Sequence, residues 1–461
     1  MTLGQPMERG PWPAGDRFRA DGSTAPAKAA RWDQSDLIRR VLGALDVASE
    51  AVRALVEGDA AGTDLASPAP GAASYLPQKI VAETAMLLLC AEPIQHLDER
   101  IRERVESLAQ RLVPRARSHD VLAAMCFEPG LASDHALAHL LLSRLGYPDS
   151  GVDRLLAAAS AMGADFGPDF GPERLPHRRL EQGWLAHLCR RCEIPARRVS
   201  RLVADSMLGR PLDALGSTRL DVYAFTHAVL YASDLGARRV ALPRSRASIA
   251  ADADAALALS LDTDDFDLTA EVLLTWPMLG LRWSPAATFA FRILADVEDA
   301  AGFVPGSAFD PARYETSSGD ERARYMLATC YHTAYVMGFL CAAALRPGCA
   351  PPAAVAPARR SRGAAAAVLN LLEPDGPPDP AGPAPCWRGP LAGLGRRQQD
   401  AVAPLLLAVL LRRARTARDL GLLRRALEVA LAHGLISGPA PLQAAALLRR
   451  SEALTLALSR R

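Results

Sequence analysis

The chain has 461 residues, of which 50% are hydrophobic and only 5% aromatic, and its formal net charge is +2. This length allows two or three average domains, or one large domain with a smaller appendage. Because acidic residues nearly match the basic ones in number and are interspersed with them, no net basic field is available to hold nucleic acid, and we predict that nucleic acid is not a partner.

The apolar residues are mostly Ala and Leu, and runs of β-branched residues are scarce, so the composition favours an all-α fold. Residues 1–32 are predicted to be a disordered lead-in, since they contain acidic residues and no apolar stretch of the kind found in signal peptides. The longest apolar runs fall short of the roughly 18 residues that a membrane span needs. We therefore expect a cytoplasmic protein that does not contact a membrane.

Apolar residues recur at three- and four-residue intervals through residues 33–346, which predicts an α/α helical domain over this range. Pro- and Gly-rich breaks interrupt it at 59–77 and 163–176. The predicted helices, in chain order, are 33–58, 77–93, 98–113, 118–127, 133–147, 151–162, 179–192, 195–208, 218–236, 264–279, 285–299 and 320–345.

Two further segments follow the main domain. Residues 347–393 are rich in Pro and Gly and are predicted to be a linker. Residues 394–461 contain about three amphipathic patterns and are predicted to be a C-terminal helical segment. This segment could pack on the main domain or bind a protein partner.

Polar or aromatic residues set into the apolar helices recur every 43 to 61 residues, which is the length of two helices with their connections. This spacing suits helical hairpins that are stacked as a solenoid or closed as an α/α toroid, in which alternate helices form an inner wall around a central cavity. The recurring residues are Glu83, His135, Trp184, His227, Glu271 and His332.

The segment DVYAFTHAVLYASDLG, residues 221–236, carries the first candidate site. Tyr223, His227, Tyr231 and Asp234 are spaced four, four and three residues apart, so a helix would place them on one face. An imidazole beside phenols and a carboxylate can be held in one tautomer for proton transfer. We predict that His227, Tyr231 and Asp234 are catalytic and that Tyr223 binds substrate; a buried polar ladder that fixes helix packing is the structural alternative.

The segment CYHTAYVMGFLCA, residues 330–342, repeats this chemistry. His332 is predicted to be a second catalytic residue, and Tyr331 and Tyr335 to bind substrate. Glu271 and Trp184, which lie among apolar neighbours in their own helices, complete the predicted substrate-binding set. Two such Tyr/His segments are as compatible with one shared polar site as with two unrelated networks in the core.

Other chemistry-bearing residues receive structural interpretations. The acidic residues that begin the helix at 264–279 are typical of a first helical turn, and Lys79 at i−4 could neutralise Glu83. His135 and His139 are four residues apart without the intervening Glu of a metalloprotease helix. Cys189 and Cys192 form a C-x-x-C without a second one at zinc-ribbon spacing. We assign no metal ligands, the sequence identifies no cofactor, and most of the eight cysteines are expected to be reduced core residues.

The two Tyr/His segments resemble the paired T-H and Y-H-T segments of an actinobacterial all-helical family without an assigned activity, over about residues 35–345. Some members of that family are associated with gene clusters for specialised metabolites. The scaffold is also similar to the α/α toroids of lanthionine and terpenoid cyclases. The chain lacks the G-x-x-H-G and C-H-G zinc segments of those cyclases, and it has no P-loop, G-x-G-x-x-G or G-x-S-x-G motif.

The sequence therefore predicts a helical protein with a His/Tyr-lined cavity that acts on a small molecule or peptide in specialised-metabolite biosynthesis, with an enzyme favoured. The alternative is a non-catalytic helical-repeat protein that regulates or binds a partner and whose polar ladders are structural.

Overall fold

The computed structural model describes residues 32–60, 77–164, 174–189, 196–358, 362–372 and 385–459. The predicted lead-in, except for its last residue, lies outside these ranges, as do most of the two predicted breaks at 59–77 and 163–176 and Cys192. The cysteines that are described are all free thiols, and Cys90, Cys330 and Cys341 are buried.

The all-α prediction is confirmed, since the described residues form helices and contain no strand. Two short 3₁₀ helices span Glu92–Leu97 and Pro129–Leu131. The α-helices of the described ranges, numbered α1 to α21 in chain order, are Gln34–Ala60, Pro77–Ala91, Glu99–Ala116, His119–Phe127, Ala132–His135, Leu137–Arg144, Ser150–Ala164, Pro176–Leu188, Ala196–Asp205, Arg219–Ala232, Arg246–Asp262, Phe266–Leu273, Thr275–Leu279, Pro285–Ala301, Pro311–Thr316, Gly319–Ala344, Ala364–Leu372, Arg388–Ala392, Arg396–Thr416, Leu420–Ala432 and Pro439–Ser459.

Local capping interactions set the start of the helices that carry the candidate residues. Thr218 and Asp221 form a capping box at α10: the Thr218 side chain accepts from the Asp221 backbone N–H, and the Asp221 carboxylate accepts from the Thr218 backbone N–H. At α12 the Asp265 carboxylate accepts from the Leu268 backbone N–H at 3.1 Å. These caps fix the register of both helices close to the polar residues on them.

Helix α12 is central to the fold. All eight of its residues are buried, because it packs against α10, α11, α14 and α16. Helix α16 packs in turn against α1, α2 and α12, and α2 packs against α6. Helix α8 contacts α5, α6 and α10. The candidate residues on α8, α10, α12, α16 and α2 are therefore carried by helices that are direct neighbours.

Helix α11, Arg246–Asp262, is absent from the helices that the sequence predicted. Its pattern mixes Ala with Asp and Ser and shows no single apolar stripe. In the fold it packs against α10, α12, α14 and α19 and is buried on most of its sides. Helical periodicity weakens when a helix is surrounded by other helices, and this explains why the pattern did not reveal it.

The predicted linker is not an unstructured spacer throughout. Residues 347–393 contain α17 and α18, and α17 packs against α19. Helix α19 also packs against α11 and α14 of the main domain, and one continuous apolar core extends from Trp32 to Leu448. The C-terminal helices therefore share the core of the preceding helices, because the apolar face of α19 is buried against them.

Two segments, Pro77–Leu97 and Gly319–Ala344, are long and apolar enough to cross a membrane by length and composition alone, which differs from the sequence-based expectation. Half of the first apolar window and 67% of the second are buried inside the protein. Core helices of this kind meet the same criteria as membrane spans.

Candidate active site

Helix α10 positions a stacked pair of rings. The Tyr223 and His227 rings are stacked with their planes 30° apart and their centroids 3.7 Å apart, and His227 Nδ1 is 3.1 Å from the Tyr223 carbonyl oxygen. Because a carbonyl oxygen only accepts, Nδ1 is the donor. This hydrogen bond therefore fixes the neutral tautomer in which Nε2 keeps a lone pair.

Helix α12 supplies two buried carboxylates one turn apart, Asp267 and Glu271. Glu271 Oε2 accepts a 2.6 Å hydrogen bond from the Thr226 hydroxyl and lies 3.8 Å from His227 Nδ1. Asp267 Oδ1 accepts from the Thr333 hydroxyl at 3.2 Å, and Asp267 Oδ2 accepts from Arg219 at 3.3 Å.

Helix α16 brings His332 to the same carboxylates from the opposite side. His332 Nε2 lies 3.7 Å from Asp267 Oδ1 and 3.9 Å from Glu271 Oε1. Its Nδ1 is 3.1 Å from Oε2 of Glu83 on α2. The other oxygen of this carboxylate, Oε1, is 3.6 Å from the Lys79 ammonium group. The two predicted histidines thus approach different oxygens of one carboxylate, that of Glu271.

The pKa values follow this arrangement. Burial lowers the pKa of His227, and the nearby Glu271 only partly offsets the effect. Burial also acts to lower the pKa of His332, but Asp267, Glu271 and Glu83 together raise it well above its ordinary value. Burial raises the pKa of Asp267 to about 6. For Glu271, burial acts to raise the pKa, but His332, His227 and Thr226 outweigh it and the net shift is downward.

The predicted helix face of α10 ends earlier than the sequence suggested. The helix stops at Ala232, and Asp234 follows in a left-handed turn with φ 51°. Asp234 accepts hydrogen bonds from Trp184 Nε1 at 2.7 Å and from Arg144 at 2.8 Å, so its partners are not the predicted histidines. Sequence spacing assumed a continuous helix, and the turn changes the direction of this side chain.

Tyr231 belongs to the same flank as Asp234. Its hydroxyl donates to Glu181 Oε1 at 2.7 Å, and Glu181 also pairs with Arg178 at 2.7 Å. The Tyr231 ring lies between those of Trp184 and His227, with centroids 5.3 Å and 5.9 Å away. Tyr231 thus connects the His227 ring with a carboxylate on α8, while Trp184 faces Asp234.

The tyrosines of α16 lie on the other flank. Tyr335 is fully buried, and its hydroxyl forms a 2.9 Å hydrogen bond with the Thr84 hydroxyl. The Tyr331 ring meets the His332 and Tyr335 rings edge on, with centroids 6.3 Å and 5.4 Å away. This geometry places Tyr331 beside an imidazole and gives Tyr335 a partner in the core.

Among the six residues that recur along the sequence, His135 lies apart from the cluster. Its Nε2 is 2.7 Å from a carboxylate oxygen of Glu128, which is exposed. His139 is buried between Arg117 and Asp153, so the two histidines at i and i+4 have separate partners.

Several members of the cluster were not among the predicted site residues. Asp267 was interpreted as an ordinary first-turn acid, and Glu83, although one of the six recurring residues, was interpreted as a structural partner of Lys79. His177 was not considered, although its ring meets those of Tyr223 and His227 edge on, at 5.9 Å and 6.3 Å. The spacing of Asp267 and Glu271 at i and i+4 on an apolar helix was the available signal.

Two cavities differ in their position relative to the predicted site residues. One of about 600 Å³ is lined by residues between Glu92 and Arg102 and contains none of the predicted site residues. Another, of about 30 Å³, is lined in part by Trp184 and Tyr231. Solvent also reaches the edge of the histidine cluster, since the side chains of His332, Arg219 and Lys79 are 31%, 43% and 48% exposed.

Comparison with known proteins identifies the family. Residues 48–342 match DUF6895, a domain of unknown function, and this match covers more than half of the chain. The chain therefore belongs to that family. No curated protein and no solved structure matches this chain.

Proposed function

We propose that this protein is an enzyme that acts on a small polar molecule or peptide, with the cluster around Glu271 as its active site. The observation that carries the proposal is the approach of two imidazoles, from α10 and α16, to the two oxygens of one buried carboxylate. Buried polar groups that converge at a partly exposed edge are typical of sites where protons are moved. A role in specialised-metabolite biosynthesis, which the family resemblance implies, and a cytoplasmic location, which the pattern of apolar residues predicts, both belong to this proposal.

The scaffold we propose for this site is a closed α/α toroid. Its inner wall would consist of α2, α5 with α6, α8, α10, α12 and α16, which carry the six recurring residues in order. The packing supports this arrangement because each of these elements contacts the next and α16 returns to α2.

His227 is the proposed proton acceptor. Its Nδ1 hydrogen bond leaves the Nε2 lone pair free of that interaction, and the Tyr223 ring stacked on it restricts the orientation of the imidazole. On the α12 side, Glu271 lies 3.8 Å from the imidazole, and the Thr226 hydroxyl of α10 donates to the same Glu271 oxygen. Arg219 and Lys79 line the solvent-exposed edge and are paired there with carboxylates of the cluster, so we expect polar substrates whose carbonyl oxygens can accept from these two side chains.

A screen of small carboxylic acids, amides and phenols by ligand-observed NMR tests this proposal on the full chain. We expect fragments that bind the wild type and lose binding in His227→Gln, with an unchanged melting temperature. The matched control is His135→Gln, which alters a half-buried histidine that also pairs with a glutamate but lies apart from the cluster. A hit set that is identical in all three proteins would remove the support for this site.

One observation favours the alternative function of an interaction protein. Exposed large apolar side chains concentrate on the C-terminal helices α20 and α21, where Leu431, Leu442, Leu454 and Leu458 are all exposed. Exposed apolar side chains often bind partners where they form a contiguous patch. Light scattering measures the molar mass in solution of the full chain and of the variant Leu454→Ser/Leu458→Ser. A smaller mass for the variant would show that this surface mediates self-association, whereas a monomer mass for both proteins would disfavour it.

A further inference from the structure

Three side chains at the centre of the cluster present atoms of the kinds that bind metal ions. One carboxylate oxygen each from Asp267 and Glu271 and one ring nitrogen from His332 all lie within 4.8 Å of one another. Metal–nitrogen and metal–oxygen bonds of about 2.0–2.2 Å place neighbouring ligands roughly 3–4 Å apart. The 3.7 Å and 3.9 Å separations between His332 Nε2 and the two carboxylates are in this range.

Each of the three side chains also has a partner on another helix that would orient it. His332 Nδ1 lies 3.1 Å from Glu83 Oε2, which is the carboxylate–histidine arrangement found behind metal-bound imidazoles. Thr226 donates to the Glu271 oxygen that does not face His332. Thr333 and Arg219 donate to Asp267. Outer hydrogen bonds of this kind fix ligand orientation.

The charge balance of the cluster also favours a bound cation. Within the described ranges, the four carboxylates of Glu83, Asp265, Asp267 and Glu271 are connected to two permanent cations, Lys79 and Arg219. Arg219 spans Asp265 and Asp267, so a single guanidinium serves two acids. Two negative charges remain in a buried region, where an uncompensated charge is costly. One protonated imidazole would balance half of this excess, whereas a divalent cation would balance all of it.

We infer that Asp267, Glu271 and His332 form a binding site for a divalent transition-metal ion. Their mixed oxygen and nitrogen chemistry suits Mn²⁺, Fe²⁺ or Zn²⁺ better than Ca²⁺. Three protein ligands leave coordination positions for water or substrate, as in catalytic metal sites. This inference deepens the proposed function, on which its catalytic meaning rests: the ion would hold and polarise a substrate oxygen beside His227.

Mn²⁺ is the probe for this site, because it favours oxygen and nitrogen ligands over the thiols of this chain. The full chain, freed of tags and treated with EDTA, is titrated with Mn²⁺ while the EPR signal of free Mn²⁺ is recorded. We expect one bound ion per chain in the wild type. Asp267→Asn should weaken binding at least ~10-fold by removing a ligand, and Glu83→Gln about 10- to 100-fold through the orientation of His332. His135→Gln should bind as the wild type does.

A measurement on the unaltered chain covers the case in which a variant does not fold. Mn²⁺ should raise the melting temperature of the wild type, and EDTA should reverse the increase. If the folded wild type leaves Mn²⁺ free, or if folded Asp267→Asn binds it equally well, the cluster is an ion-pair network and the inference is wrong. His227→Gln separates the two proposals: it should retain Mn²⁺ but lose the small-molecule fragments. If the fragments bind but Mn²⁺ does not, the metal site is refuted and the proposed function is retained.

Discussion

Replacement of Gly338 by Ala tests how closely α16 is packed against α1 and against α2, the helix that carries Glu83. A Cβ atom at Gly338 would lie 2.5 Å from the Ala44 Cβ on α1 and 2.9 Å from Leu87 Cδ1 on α2. Favourable carbon–carbon contacts are about 3.5–4.0 Å long. The Leu87 side chain can rotate away, but the Ala44 Cβ is bonded directly to the backbone. The helices α1 and α16 would therefore have to separate by about 1 Å.

The energetic effect has two parts of opposite sign. Removing a Gly from a helix interior stabilises the fold by about 0.5–1 kcal/mol. Overpacking a tight contact costs about 1–3 kcal/mol. Gly43→Ala on α1 is the matched control, because a Cβ there meets no atom within 4 Å and only the favourable part applies. The free energy of unfolding of Gly338→Ala should thus be about 1–3 kcal/mol below that of Gly43→Ala.

Urea unfolding followed by far-UV circular dichroism measures this difference. Gly338 is less than two helical turns from His332, and Leu87 is one turn from Glu83, so the same displacement should lengthen the His332–Glu83 hydrogen bond. We therefore also expect Gly338→Ala to bind Mn²⁺ more weakly than Gly43→Ala. If both variants gained the same stability, α16 would not be packed against α1 as closely as described, and the reasoning would be refuted.

Three further substitutions probe buried polar groups. Tyr335→Phe leaves the Thr84 hydroxyl without its 2.9 Å partner and should lower the free energy of unfolding, measured by urea titration, by about 1–2 kcal/mol. An unchanged free energy would mean that Thr84 has another partner. Arg40→Ala removes a buried guanidinium that is bound to three carboxylates and should cost about 3–5 kcal/mol, or prevent folding; a loss below 1 kcal/mol would contradict its burial. Burial raises the pKa of Asp254 from 3.8 to about 7, with only the Ser284 hydroxyl opposing it, so the folded state loses stability relative to the unfolded state as pH rises from about 4 to 7. Asp254→Asn should therefore gain about 1–2 kcal/mol at pH 8, after allowance for partial exposure, and almost nothing at pH 4; an equal gain at both values would show that this carboxyl is not perturbed.

The amino-acid sequence determined the helical class and much of the helix placement, because helix formation depends on local periodicity and capping. It also singled out the segments around His227 and His332, since Tyr and His are conspicuous within Ala- and Leu-rich helices. The local sequence pattern gave the wrong prediction where the conformation depends on neighbouring helices or on the end of a helix. Helix α11 lacked an apolar stripe because it is buried on most sides, and Asp234 left the α10 face because the helix had already ended.

Only the tertiary structure decided which polar residues meet. Glu83 and His332 are 249 positions apart, and Asp267 and Thr333 are 66 apart, so no local spacing could pair them. Periodicity indicates that a side chain faces the interior, but it does not say which helix lies opposite. A buried carboxylate is tolerated only where a partner from another helix compensates its charge. The packing of α2, α10, α12 and α16 around Glu271 supplies those partners, and it turns a first-turn acid and a solitary ion pair into parts of one site.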